Sequence, residues 1–147
     1  MQSRGNPLGT VFRYNRVITK VKELHYFTRL TSIADSAFRD CSNLSEIDIP
    51  DFIKSIERMA FQSNNLANVV LPASVASLGD SSFRRNDNTR VIMQTCTLLR
   101  NSVVAIFSNT FSGQTTTQFY VPSELVDSYK AATNWSSLAS RIHAIED

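Results

Sequence analysis

The feature that most constrains the fold of this chain is a hydrophobic pattern that returns after 23, then 22, then 28 residues. In each unit a phenylalanine stands five positions after an aliphatic residue, and the residue just before it is small. The phenylalanines are Phe38, Phe61, Phe83 and Phe111, and the small residues are Ala37, Ala60, Ser82 and Thr110. A chain repeats its apolar positions in this way when each unit buries its apolar face against the next one. The pattern therefore predicts a solenoid with a buried column of phenylalanines.

The second half of each unit contains two apolar residues separated by one position. These pairs are Ile47/Ile49, Val69/Leu71, Val91/Met93 and Phe119/Val121. A proline follows three of the pairs, as Pro50, Pro72 and Pro122, whereas Gln94 follows the third pair. Alternation that ends at a proline indicates a short strand, because proline cannot donate to a ladder. Strands at a fixed period are expected to pair in register between coils and to form a parallel sheet.

The pattern divides the chain into one domain with four parts. These are a flexible lead (residues 1–10), an N-terminal cap (11–29), about four repeats (30–122) and a C-terminal helical cap (123–147). Caps are expected because the first and last coils of a solenoid expose an apolar cross-section. The predicted apolar contacts of the N-terminal cap are Val17, Val21, Leu24 and Phe27.

The C-terminal cap is predicted to begin a helix at Ser123, followed by the acidic Glu124 in the first turn. A second helical stretch is predicted around Leu138 and Ile142. Trp135 is expected to plug the last coil, and stacking on a carbohydrate is the alternative for this ring. The extra residues of the longest repeat are assigned to a protruding loop at Thr97–Ser102.

Residues 30–50 read LTSIADSAFRDCSNLSEIDIP and resemble the BspA-like leucine-rich repeat, whose units run L-x-x-I-x-x-x-A-F-x-x-C-x-x-L-x-x-I-x-I-P. Cys41, Leu44, Ile47, Ile49 and Pro50 occupy the positions of that pattern, although the cysteine recurs in no later unit. The segments on either side of the repeats are similar to those that open and close such arrays in gut-bacterial surface proteins. The resemblance implies a leucine-rich-repeat solenoid that binds partners through its exposed sheet, and an extracellular or cell-surface location.

The sequence contains no arrangement typical of an enzyme. Its two histidines, His25 and His143, lie in opposite predicted caps, and it has no phosphate-binding glycine motif and no nucleophile elbow. Glu46 and Asp48 are the closest acidic pair on a predicted strand. A general acid/base or calcium role is conceivable for them, but a solvated strand face is the favoured interpretation. The sequence therefore predicts a non-catalytic chain without a cofactor or a metal site.

Charge and hydrophobicity restrict the class of partner. The 15 basic and 13 acidic residues give a formal net charge of +2, which argues against binding to nucleic acid or to an anionic membrane surface. No apolar run reaches the length of a signal peptide or a transmembrane span. With these classes set aside, the resemblance to BspA-like repeats implies a protein or a cell-surface glycan as the partner.

The predicted binding site consists of the strand residues that flank the inward-facing apolar pairs, since successive side chains of a strand point to opposite faces. Arg90 and Tyr120 are the preferred anchors among them. The full set is Glu46, Asp48, Asn68, Val70, Arg90, Ile92, Gln118 and Tyr120. The predicted function is adhesion or protein interaction with host or other cells. The alternative is a phage virion protein of the tail or head, which the lack of a signal peptide favours.

Overall fold

The computed structural model describes residues 12–85 and 91–146. These residues form nine short strands, one α-helix and three 3-10 helices. The strands are β1 (Lys20–Val21), β2 (Ser32–Ile33), β3 (Glu46–Ile47), β4 (Ser55–Ile56), β5 (Asn68–Leu71), β6 (Ser77–Leu78), β7 (Thr95–Leu98), β8 (Gln118–Val121) and β9 (Ile142–Ala144). The helix α1 spans Val126–Ala131, and the 3-10 helices span Leu24–Tyr26, Ser123–Leu125 and Ser136–Arg141.

The strands build two walls of a solenoid. A narrow wall contains β2, β4 and β6, in which Ser32, Ser55 and Ser77 pair in turn. A wide wall contains β1 paired with β3, and then β5, β7, β8 and β9 paired in that order. All of these pairs are parallel. The predicted leucine-rich-repeat fold, with short parallel strands stacked coil on coil, is confirmed.

The predicted column of phenylalanines forms the centre of the core. The rings of Phe38, Phe61, Phe83 and Phe111 stack with successive centroid distances of 5.4, 5.4 and 5.7 Å. Their neighbouring small residues Ala37, Ala60, Ser82 and Thr110 are all 0 % exposed, so a larger side chain at these positions would have no space. Phe12 adds one more ring at 5.3 Å from Phe38, which the sequence pattern did not predict.

Main-chain hydrogen bonds between the turns around these phenylalanines form the third side of each coil. Phe38 N donates to Ala60 O at 2.8 Å, and Phe61 N donates to Ser82 O at 2.8 Å. The residue two positions before the phenylalanine has a left-handed backbone conformation. In the first of these coils this residue is Ser36, with φ of 61°. The same conformation recurs at the equivalent positions of the next two coils, Met59 and Ser81. The repeat therefore fixes backbone conformation as well as side-chain packing.

The position three residues after each phenylalanine explains why the cysteine of the repeat pattern does not recur. Cys41 Sγ donates to Phe12 O at 2.8 Å, and Asn64 Nδ2 donates to Phe38 O at 2.8 Å. Gln114 Nε2 donates to Phe83 O at 3.0 Å. Each of these buried side chains reaches the carbonyl of the phenylalanine in the preceding coil. The position therefore requires a hydrogen-bond donor, which a thiol or a side-chain amide supplies.

Replacing Gly79 with alanine is expected to lower the free energy of unfolding by about 1–3 kcal/mol, the usual cost of overpacking. A Cβ at this position would lie 2.5 Å from Arg58 N and 2.6 Å from Glu57 C. These are main-chain atoms of the neighbouring coil, so they cannot rotate aside. Urea denaturation measures the effect, with the exposed Ser108→Ala as the control. Equal midpoints for the glycine variant and the parent protein would contradict this close approach.

The third coil differs from the sequence prediction. Its strand on the wide wall is β7 and not the Val91/Met93 segment, because Cys96 pairs with Val69 and Leu98 pairs with Leu71. Ile92 therefore lies outside the ladder, and Arg90 falls outside the described residues.

The predicted loop at Thr97–Ser102 is also wrong, since its first two residues belong to β7. The additional residues of this coil precede the strand. Seven positions separate Phe61 from Asn68 at the start of β5, whereas twelve separate Phe83 from Thr95 at the start of β7.

The two ends of the solenoid also depart from the prediction. Val17 and Phe27 are 85 % and 47 % exposed, so they are not core contacts of the first coil, whereas Leu24 is buried. At the other end Ile142 begins strand β9, where it pairs with Phe119, and does not continue a helix. The 3-10 helix at Ser123–Leu125 has no side-chain cap.

Trp135 plugs the last coil, as the sequence predicted. Its side chain is 0 % exposed, and its Nε1 donates to Val104 O at 2.7 Å. The ring packs edge-on against Phe119 and Tyr129, with centroid distances of 5.3 and 5.0 Å. The alternative of a carbohydrate-stacking tryptophan is wrong, because a sugar cannot reach this ring in the folded protein.

Candidate interaction face

The outward side chains of the wide wall form a surface of exposed and half-buried residues, here called the ladder face. In β5 the side chains of Asn68 and Val70 are exposed, whereas those of Val69 and Leu71 are buried. The strand pairing extends this alternation across the other strands of the wall. The ladder face consists of Lys20, Lys22, Glu46, Asp48, Asn68, Val70, Thr95, Thr97, Gln118, Tyr120 and His143.

The structure places six of the eight predicted site residues on this face. They are Glu46, Asp48, Asn68, Val70, Gln118 and Tyr120. The places assigned to Arg90 and Ile92 are taken by Thr95 and Thr97, which pair with Asn68 and Val70.

Sequence reasoning also missed the outermost strands of the face. Lys20 and Lys22 flank a single valine in β1, and His143 follows Ile142 in β9. Alternations of three residues are shorter than the runs of about four to eight that indicate a strand, so these two strands leave no clear signal in the sequence.

The N-terminal end of the ladder face is charged. Lys20 Nζ lies 3.3 Å from Glu46 Oε1, and Lys22 Nζ lies 3.3 Å from Glu46 Oε2. Hydrogen bonds from Lys22 and then Lys20 hold the pKa of the Glu46 carboxyl below its ordinary value. Hydrogen bonding to Glu46 raises the pKa of Lys22, with the Coulomb attraction of Asp48 as the next cause. Both oxygens of the Glu46 carboxylate are thus engaged by lysines of β1 and the residue that follows it.

The C-terminal end of the ladder face is polar and aromatic. Thr95 Oγ1 donates to Asn68 Oδ1 at 2.7 Å, across β5 and β7. His143 Nε2 lies 2.6 Å from Gln118 Oε1, and its ring centroid lies 5.4 Å from that of Tyr120. Hydrogen bonds and ring packing between neighbouring strands therefore hold these side chains in fixed positions.

A groove of about 440 Å³ interrupts the ladder face between β3 and β5. In the described part of the chain these two adjacent strands belong to separate sheets and share no ladder. The floor and walls of the groove are formed by Glu46, Ile47, Asp48, Ile49, Asn68, Val70, Pro72 and Leu99. Four of the predicted site residues therefore line one concave site.

The repeat pattern is shared with a known family. The sequence of residues 12–139 matches the BspA type leucine rich repeat region in six copies. The chain belongs to the BspA-type leucine-rich repeat family.

Among solved structures, the chain is similar to a leucine-rich repeat protein from Bacteroides ovatus ATCC 8483, with 18 % sequence identity and a TM-score of 0.40. That similarity covers 76 % of this chain and 41 % of the other, so the chain spans about two fifths of its length. No curated protein matches the chain.

The polar groups of this BspA-type solenoid do not assemble into a metal centre within the part that the structure describes, where no cluster of three histidine, cysteine or acidic side chains occurs. His25 lies at the first coil, with Nδ1 2.9 Å from Lys22 O, and His143 lies on the last strand. Both cysteines are buried free thiols, and burial raises the pKa of Cys41 to about 11 and that of Cys96 to about 12. In residues 12–85 and 91–146, no helix has the length and apolar character needed to cross a bilayer.

Proposed function

We propose that the chain is a non-catalytic interaction module that binds a protein partner through the ladder face. The observation that carries the proposal is the alternation of side chains along the strands of the wide wall. Its inward side chains build the core, whereas its outward side chains are exposed or half-buried along six strands and lie outside the core. A surface whose side chains are held in place by neighbouring strands is pre-organised for binding, because little conformational freedom is lost on association.

The composition of the ladder face suits a protein more than a glycan. It combines lysines and carboxylates at one end, the exposed Val70 in the middle, and Tyr120 beside His143 at the other end. Protein interfaces have this mixture of charged rim, apolar centre and aromatic anchor. Trp135, the residue considered for stacking on a sugar, is buried.

Membership of the BspA-type family supports a place outside the cell or on its surface, where the partner would be a protein of a host or of another cell. A virion structural protein of a phage remains the alternative, with a host-cell protein or another virion protein as its partner. The identity of the bound protein distinguishes these two settings.

A photo-reactive amino acid at Thr97 or Tyr120 is expected to cross-link one protein partner when the variant is made in its native cells. Both positions lie on the ladder face, and the matched control is the exposed Asn109 on the turn side of the solenoid. Mass spectrometry identifies the product as a cell-surface protein or a virion protein. Equal products from Asn109 and from the two face positions, or none from the face, would overturn the proposal.

A further inference from the structure

We propose that the groove between β3 and β5 holds an extended segment of the partner protein, in which a lysine or arginine lies next to apolar side chains. This inference rests on the proposed function, because it names the occupant of one part of the ladder face. It follows from three features of the groove, namely its exposed core residues, its unpaired strand edges and its charge.

The floor of the groove exposes side chains that belong to the core elsewhere in the solenoid. Ile47 and Ile49 are half-buried, whereas the six equivalent residues of β5, β7 and β8 are 0–1 % exposed. Val70 and Leu99 on the opposite wall are 55 % and 45 % exposed. Covering such apolar surface contributes roughly 25 cal/mol per Å². The occupant therefore carries apolar side chains that face this floor.

The edges of the groove present main-chain groups without ladder partners. Asp48 N donates to Val21 O in β1, so the alternation of a strand directs the main-chain groups of Ile47 toward β5. On the other side, Leu71 O accepts from Leu99 N in the direction of β7, which directs the main-chain groups of Val70 toward β3. Between β3 and β5 the described residues form no ladder that would use these groups. An extended peptide offers main-chain donors and acceptors to such edges along its length. Because some Cα atoms of β3 and β5 lie within 8 Å of each other, and an inserted strand would need about 9.6 Å, the peptide lies over the groove unless the two strands move apart.

The charge of the groove selects a cationic segment. Among the described residues that line the groove, Glu46 and Asp48 are acidic and none is basic. Both Glu46 oxygens are bound by Lys20 and Lys22, whereas Asp48 attracts Lys22 without forming an ion pair within 4.0 Å in the described part of the chain. Asp48 therefore offers the carboxylate that a lysine or arginine of the occupant can approach, at the rim of an apolar floor.

The test uses two capped five-residue peptides, one that alternates valine with arginine and one that alternates valine with glutamate. Each is titrated to millimolar concentration into the ¹⁵N-labelled protein. The arginine peptide is expected to shift the amide resonances of Ile47, Ile49, Asn68 and Val70, and the glutamate peptide is expected to leave them unchanged. Asp48→Lys is expected to weaken the arginine peptide at least tenfold, whereas Glu146→Lys, which makes the same charge change beyond β9, is expected to have no effect.

Each outcome separates this inference from the proposed function. Equal binding of the two peptides, or no shift at the groove in millimolar peptide, would overturn the groove inference. Cross-linking from Thr97 and Tyr120 would still support the ladder face in either case. Failure of that cross-linking, with the arginine peptide in the groove, would instead leave a peptide site without the wider interface.

Discussion

Replacing Phe61 with alanine is expected to lower the free energy of unfolding by about 3–5 kcal/mol, the usual cost of removing a buried aromatic ring. Phe61 is packed on both sides, with its ring centroid 5.4 Å from that of Phe38 and 5.4 Å from that of Phe83. Main-chain hydrogen bonds hold the two neighbouring coils at this separation, so they cannot collapse into the cavity. Chemical denaturation monitored by circular dichroism measures the change.

Phe107→Ala is the matched control for this experiment. Phe107 is 57 % exposed and lies outside the stacked column, so its removal is expected to change stability by no more than about 0.5 kcal/mol. An unchanged denaturation midpoint for Phe61→Ala, or similar losses for the two variants, would be incompatible with the central role of the column.

Deletion of residues 123–147 is expected to destabilise the solenoid by more than about 5 kcal/mol and to make it aggregate. Truncation of a buried tryptophan alone costs about 3–5 kcal/mol, and this deletion also removes the buried Tyr129 and the whole of β9. It exposes the edge of β8, to which a second chain can add. Light scattering after size-exclusion chromatography detects the association, and a thermal melt detects the loss of stability.

A shorter deletion of residues 146–147 provides the control, because β9 and Trp135 remain in place. The shorter chain is expected to stay in the association state of the parent protein, with a similar melting temperature. If the longer deletion behaves in the same way, the C-terminal segment is an appendage and not a cap.

The regular parts of the fold were predictable because periodicity alone specifies them. Phenylalanines that recur at a fixed period with a small neighbour bury their rings by stacking in a column. The structure has this column at Phe38, Phe61 and Phe83. The parallel sheet follows in the same way from strands of equal period. Six of the eight predicted site residues lie on the ladder face, because the alternation of strand side chains specifies them.

The third coil was predicted wrongly because two strand-like segments compete there. Val91 and Met93 have the aliphatic character of the other units, whereas the Thr95–Leu98 segment has Cys96 at an inward position. The strand is determined by pairing with β5 of the preceding coil, where Cys96 lies beside Val69 and Leu98 lies beside Leu71. The groove could not be predicted at all, because it depends on the separation of β3 from β5, which no periodic signal records.

The missing ladder between β3 and β5 also affects how the solenoid can move. Each coil of a solenoid is coupled only to its neighbours. The coils of Phe38 and Phe61 are coupled through the β2–β4 pair, the ring stack and the turn hydrogen bonds. The coil of Phe61 and the one after it are coupled in addition by the four-residue pairing of β5 with β7.

Within the described residues, moving β3 away from β5 breaks no strand pairing, whereas moving β5 away from β7 breaks a complete ladder. We therefore expect the wide wall to bend most easily between its second and third strands, while the turn hydrogen bonds keep the two coils together.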